Sequence, residues 1–115
     1  MEIQSQLFFE DDLHDWESMW EGIKRKIIGY DGRLMTVKVK FNQGAVALPH
    51  QHPHSQSAYI VKGKFEVNIG KEKSILSAGD GFYVPSGIEH SVVALEEGLV
   101  IDAFSPARED FLEGK

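Results

Sequence analysis

Seven consecutive residues, Met35-Thr36-Val37-Lys38-Val39-Lys40-Phe41, alternate strictly between apolar and polar. Two is the side-chain period of an extended strand. Met35, Val37, Val39 and Phe41 therefore share one face, and both lysines share the other. Phe65-Glu66-Val67-Asn68-Ile69 repeats the pattern. Tyr59–Val61, Gly81–Val84, Ser91–Ala94 and Leu99–Ile101 add further β-rich runs. Asp31-Gly32 stands between Ile23–Ile28 and Leu34–Phe41, a hairpin signal. Gly70-Lys71 and Glu96-Glu97-Gly98 mark later turns. Helix signals are sparse: one short turn within Asp11–Trp20, with Asp11 or Asp12 as its cap, and another at Glu109–Leu112. Eight or more short antiparallel strands at this spacing predict an all-β, closed or double-sheeted fold of the jelly-roll type, with minimal helix.

The 115 residues are expected to make one domain, 1–115. Twelve Lys and Arg stand against 18 Asp and Glu, a net charge of −6, which argues against a nucleic-acid partner. With no cysteine, disulfides, thiolate metal sites and a Cys nucleophile are excluded. The N-terminus has no basic, apolar leader, and no apolar run approaches the roughly 20 residues that span a bilayer. The expectation is a soluble cytoplasmic protein without a membrane partner.

Three of five histidines fall in His50-Gln51-His52-Pro53-His54. On a strand His50 and His52 point to one face, and two imidazoles side by side can hold a divalent ion. Pro53 implies a strand edge or bulge, so His54 need not follow the alternation. Gln56 can add an oxygen if the chain curls back, and His90 is the remaining candidate for a further ligand. A polar loop can equally carry such a cluster without binding anything. His14 lies apart, in an acidic stretch.

Spacing extends the cluster into a larger pattern. Gly44, His50, His52, Gln56 and Gly63 stand at the intervals of the first cupin motif, with Gln in place of its Glu. Gly79, Pro85, Gly87, His90 and Ala94 stand at those of the second, with Ala in place of its Asn. Eight of the ten positions match, and the chain resembles a cupin. Gly79-Asp80-Gly81 and Pro85-Ser86-Gly87 suit turns that need positive or fixed φ, bending the sheet so that His90 faces the other two histidines. The resemblance implies a double-stranded β-helix barrel with one divalent transition metal, nickel, zinc, iron, cobalt or manganese, held by His50, His52, Gln56 and His90. A neutral amide in place of a carboxylate leaves more charge on the ion. That favours Lewis-acid chemistry over stabilising an oxidised metal, and weighs against a dioxygenase.

Other segments are similar to the pectin-degradation cupins: Trp16-Glu17, Gly22–Lys26, His54–Tyr59, Gly63–Val67 and the tail Ile101–Leu112. That similarity implies an isomerase-type enzyme converting 4,5-unsaturated monouronates to linear keto-uronates, a small anionic sugar-like substrate, and functional roles for Asp102, Phe104 and Arg108. The competing reading is a non-catalytic sugar- or anion-binding cupin. Asp102 and Phe104 share one side of the last strand. There Asp102 can act as a general acid/base or cap the turn before Pro106, and Phe104 can face a sugar or fill the core. Arg108 can fork onto a carboxylate or pair with Glu109 or Asp110. Lys24-Arg25-Lys26 reads as a solvated strand, with Arg25 a second candidate cation. Tyr59, Tyr83 and Gln51 are candidate pocket residues. Apolar residues on both faces of the last strand predict a homodimer.

Overall fold

The computed structural model describes residues 3–113 of the chain. Ten antiparallel strands run β1 (Glu17–Trp20), β2 (Ile23–Tyr30), β3 (Met35–Phe41), β4 (Val46–His50), β5 (Ser55–Lys62), β6 (Lys64–Ile69), β7 (Glu72–Ser77), β8 (Gly81–Val84), β9 (His90–Ala94) and β10 (Gly98–Ser105). They form a six-stranded sheet, ordered β1-β2-β3-β10-β5-β8, and a four-stranded sheet, ordered β4-β9-β6-β7. The only helical turns among the described residues are 3₁₀, at Asp11–Leu13 and Glu109–Leu112. Among the described residues no helix is long and apolar enough to cross a membrane.

The alternation does what it predicts. Met35, Val37, Val39 and Phe41 are all buried, as are Val100, Asp102 and Phe104 on β10 and Gln56, Ala58 and Ile60 on β5. Each fully buried aliphatic or aromatic side chain of this kind contributes about 1.5–3 kcal/mol through burial. One end of the interior is apolar, with Phe41 and Phe65 packed edge to face at 5.0 Å. Toward the other end β10 changes from Val100 to Asp102, and β9 from Ala94 and Val92 to His90, so the polar groups gather there. Gly79 and Gly87 have φ of +94° and +78°, the backbone their turns were expected to need.

The N-terminal segment departs from expectation. Asp11 and Asp12 lie inside the 3₁₀ turn and neither caps it; Glu10 holds the cap position without a side-chain bond. Glu17–Trp20 is a strand. The Asp11 carboxylate has another partner set. Lys26 and Lys38 are cross-strand neighbours on the outer face of β2 and β3. Like charges directly opposite repel. Asp11 Oδ1 accepts from both ammonium groups, at 3.1 Å and 2.6 Å, which offsets that repulsion. Trp16 lies against Lys26, Lys38 and Lys40, with ammonium-to-ring distances of 4.8, 5.6 and 4.6 Å. The solvated-strand reading of Lys24-Arg25-Lys26 therefore holds only for exposed Lys24. Lys26 is covered by the N-terminal segment, and Arg25 shares the inner face of β2 with Ile23.

Candidate metal centre and catalytic cavity

His50 ends β4 and pairs in register with His90, which begins β9. The route to that pairing is not simple alternation. Ala47 and His50 both line the interior cavity although they are three residues apart. An odd interval on one face requires a break in parity, and the register shifts between these two residues, at Leu48-Pro49. His52 lies beyond the strand end, so strand alternation does not place it. The Gly87 N–H anchors its main chain by donating to the His52 carbonyl at 2.8 Å.

All three rings are oriented in the same way. His50 Nδ1 lies 2.8 Å from Leu48 O, His52 Nδ1 3.0 Å from His54 O, and His90 Nδ1 2.9 Å from Ile88 O. A carbonyl oxygen only accepts, so each Nδ1 carries the hydrogen. In the neutral ring this leaves a lone pair on each Nε2. One ring nitrogen from each histidine lies within 4.8 Å of the others. Ring centroids are 4.2 Å apart for His50 and His90, and 4.8 Å for His52 and His90. Burial lowers the His90 pKa to about 4, with smaller contributions from His50 and His52, and burial also lowers that of His52. Both rings are therefore neutral at physiological pH, as ligands must be.

Gln56 completes the cluster. Its amide nitrogen donates to Asp102 Oδ1 at 3.1 Å, which leaves its oxygen facing His52 Nε2, also at 3.1 Å. Two acceptors in contact need a proton or a cation between them. His90 Nε2 is meanwhile buried with no hydrogen-bond partner. An orphaned buried acceptor is costly, and here it faces two further imidazoles. Three imidazole nitrogens and an amide oxygen fit a divalent transition ion, whose charge would satisfy all of these lone pairs.

The same cavity is lined by Asp102, Phe104 and Arg108, and by Trp20 and Met19. Asp102 is 8% exposed. Burial pushes its carboxyl up to about 7, against the opposing pull of the Gln56 amide and the Arg108 charge. It caps no turn before Pro106. Phe104 packs edge-on to His52 at 5.8 Å and under the Arg108 guanidinium at 5.1 Å. Arg108 forks onto Asp110, the partner offered by the simplest reading of the sequence, and lines the cavity as well.

Tyr59 and Tyr83 are corrected. They are 53% and 59% exposed, on the outer face of the six-stranded sheet. Gln51 is also exposed. His54 contributes its carbonyl to the orientation of His52, while its ring stays outside the three-histidine cluster. His14 stacks on Phe9 at 4.6 Å. Sequence reasoning missed Trp20, 5.2 Å from His50, and Met19. Their strand has no clean alternation, and only the pairing of β1 with β2 shows that it belongs to the sheet.

A jelly roll of two antiparallel sheets with three inward imidazoles on β4, on β9 and between β4 and β5 defines a cupin. A cupin-domain family model matches residues 37–102, and the chain belongs to this family. It is 50% identical over 107 residues to the pectin degradation protein KdgF of Dickeya dadantii, covering 91% of this chain and 97% of that protein. The structure of KdgF from a Halomonas species superposes with a TM-score of 0.87 at 51% identity, over 90% of this chain and 98% of that one. An RmlC-like cupin from Shewanella frigidimarina superposes with a TM-score of 0.91 at 42% identity, over 94% and 97%.

Proposed function

We propose that this chain is a metal-dependent enzyme of pectin or alginate breakdown that converts 4,5-unsaturated monouronates to linear keto-uronates. Its relatives include two KdgF proteins, one of them named for pectin degradation. The observation that carries the reading is one cavity lined by His50, Gln56 and His90 together with a buried carboxyl, Asp102, and a guanidinium, Arg108, with His52 in contact through the Gln56 oxygen. In this reading His50, His52, His90 and Gln56 hold the ion, which when bound supplies Lewis acidity toward a substrate oxygen.

The chain's own groups account for the remaining requirements. The substrate is a cyclic enol ether with a hemiacetal at C1. Removing the C1 hydroxyl proton breaks the bond from C1 to the ring oxygen and leaves the electron pair on the oxygen of C5. Delivering a proton to C4 then gives the ketone. Atoms and electrons balance without an oxidant. Asp102 is suited to both transfers, because burial holds its carboxyl near neutrality, although an adjacent cation pulls the other way. The Gln56 amide fixes which Asp102 oxygen is occupied. Arg108 takes the uronate carboxylate, Phe104 packs against the ring, and Trp20 and Met19 exclude water.

Product analysis tests this reading. The product should have the mass of the substrate and an open-chain carbonyl. A product gaining oxygen atoms would replace the isomerase reading with a dioxygenase. We further propose a homodimer formed through the outer face of β10, β5 and β8, where exposed Tyr59, Val61 and Tyr83 adjoin Ile101.

A further inference from the structure

Arg108 has five N–H donors and no acceptor. Asp110 takes two of them, from Nε at 3.0 Å and from Nη2 at 2.9 Å. These two nitrogens form the side edge of the guanidinium. The end edge, made of Nη1 and the second hydrogen of Nη2, is outside that ion pair. The plane of the group is held by rings: Arg108 Cζ lies 4.2 Å from the centre of Phe111 and 5.1 Å from that of Phe104. Phe111 is 5% exposed and carries a second guanidinium, that of Arg25, at 3.9 Å. The two cations oppose each other, and the Asp110 carboxylate acts on both. One short turn, Glu109–Leu112, thus supplies both the ring and the carboxylate that hold Arg108.

An isolated ion pair on a surface contributes little. This one differs, because the Arg108 side chain is only 11% exposed and its fork is fixed on two sides. A planar guanidinium fixed in this way loses little further freedom on forming a second bidentate fork. We propose that Asp110 and Phe111 are positioning residues, which hold Arg108 so that its end edge presents to the cavity and takes the carboxylate of a uronate. The inference rests on the uronate reading above and adds to it a source of selectivity: a neutral sugar has no group that matches the fork.

The test uses the metal-loaded enzyme and three variants, Asp110→Ala, Asp110→Asn and Phe111→Leu. Two readouts are taken: steady-state kinetics on the unsaturated uronate, and thermal stabilisation by saturated probes. The probes are galacturonate and glucuronate, with galactose and glucose as neutral controls. Asp110→Ala should raise KM about tenfold, equivalent to losing one charge-assisted hydrogen bond at the ligand, with kcat within about twofold. Asp110→Asn keeps the shape and one acceptor, so it should fall between Ala and wild type. Phe111→Leu should move KM in the same direction. Stabilisation by the uronates should shrink in all three, and the response to the neutral sugars should not change. A folded Asp110→Asn or Asp110→Ala protein with wild-type KM and wild-type stabilisation by uronates would overturn the inference. So would a loss confined to kcat, which would place Asp110 in the chemistry. Failure of the wild type itself to turn over or bind any uronate is a separate result, which removes the reading of the site on which the inference stands.

Discussion

Gln56 and Asp102 are joined across β5 and β10 by a single hydrogen bond, amide nitrogen to carboxylate oxygen at 3.1 Å. That bond turns the Gln56 oxygen toward His52 and so links the Asp102 carboxyl, the proposed acid/base group, to the histidine cluster. Replacing the amide by a carboxylate would break both ends of the arrangement. Gln56→Glu puts a like charge beside Asp102 and cancels one unit of charge on the ion. The expected outcome is metal content at least equal to wild type, with kcat lower by roughly 10- to 100-fold, on the scale of impaired acid/base catalysis. Metal analysis and kinetics on the same preparation check it.

Removing His90 should separate metal binding from folding. Its Nε2 is a buried ring nitrogen with no hydrogen-bond partner, so His90→Ala removes a ligand from the proposed ion while relieving an unsatisfied group in the metal-free chain. Adding nickel, zinc or manganese should raise the Tm of the wild type, because a ligand that binds only the folded state stabilises it. The same addition should leave the Tm of His90→Ala nearly unchanged. An equal metal-induced rise in both proteins would count against His90 as a ligand.

The clamp at Asp11 gives a pH dependence. Hydrogen bonds from Lys38 and then Lys26 lower the pKa of its carboxyl below the usual value of 3.8. A depressed folded-state pKa contributes stability that is present above the unfolded value and lost as pH falls through the folded one. Asp11→Asn should therefore melt below wild type at pH 7. The gap should narrow as the pH falls below about 4 and close under strong acid. Melting curves across that range decide the matter, and a gap that stays constant with pH would refute the clamp.

The dimer proposal makes a prediction about the outer face. Tyr59 and Ile101 are register partners there, with Tyr59 more than half exposed. A charge on each, Tyr59→Glu with Ile101→Lys, should leave the interior untouched and convert the species seen by light scattering from dimer to monomer. A wild type that already scatters as a monomer would dispose of the proposal.

The legible parts of this molecule were those governed by alternation and motif spacing. Strict period two along Met35–Phe41 marked which residues enter the core, and the cupin intervals brought His90 to His50 across forty residues of sequence. Four features were not legible for physical reasons. The bulge at Leu48-Pro49 changes the parity of β4, which no local pattern announces. Lys26 reads as a solvated charge until the N-terminal segment folds over it and supplies Asp11. Trp20 and Met19 reach the cavity through the pairing of β1 with β2, a tertiary choice made by neighbouring strands. The Arg108–Asp110 pair was legible as a contact, yet its setting against two phenylalanine rings was not.

In the proposed function the histidine cluster, once metal-loaded, works with Asp102 to open and ketonise an unsaturated uronate. The most direct measurement is the loss of ultraviolet absorbance from the C4–C5 double bond of a 4,5-unsaturated monouronate. It should be followed with metal-loaded wild type, chelator-stripped wild type and metal-loaded Asp102→Asn. Rapid loss is expected with the first, recovery of the second on adding metal back, and a rate at least about 100-fold lower for the third. Absorbance that stays constant with every metal, while uronates still raise the Tm, would contradict it and leave a binding protein in place of an enzyme.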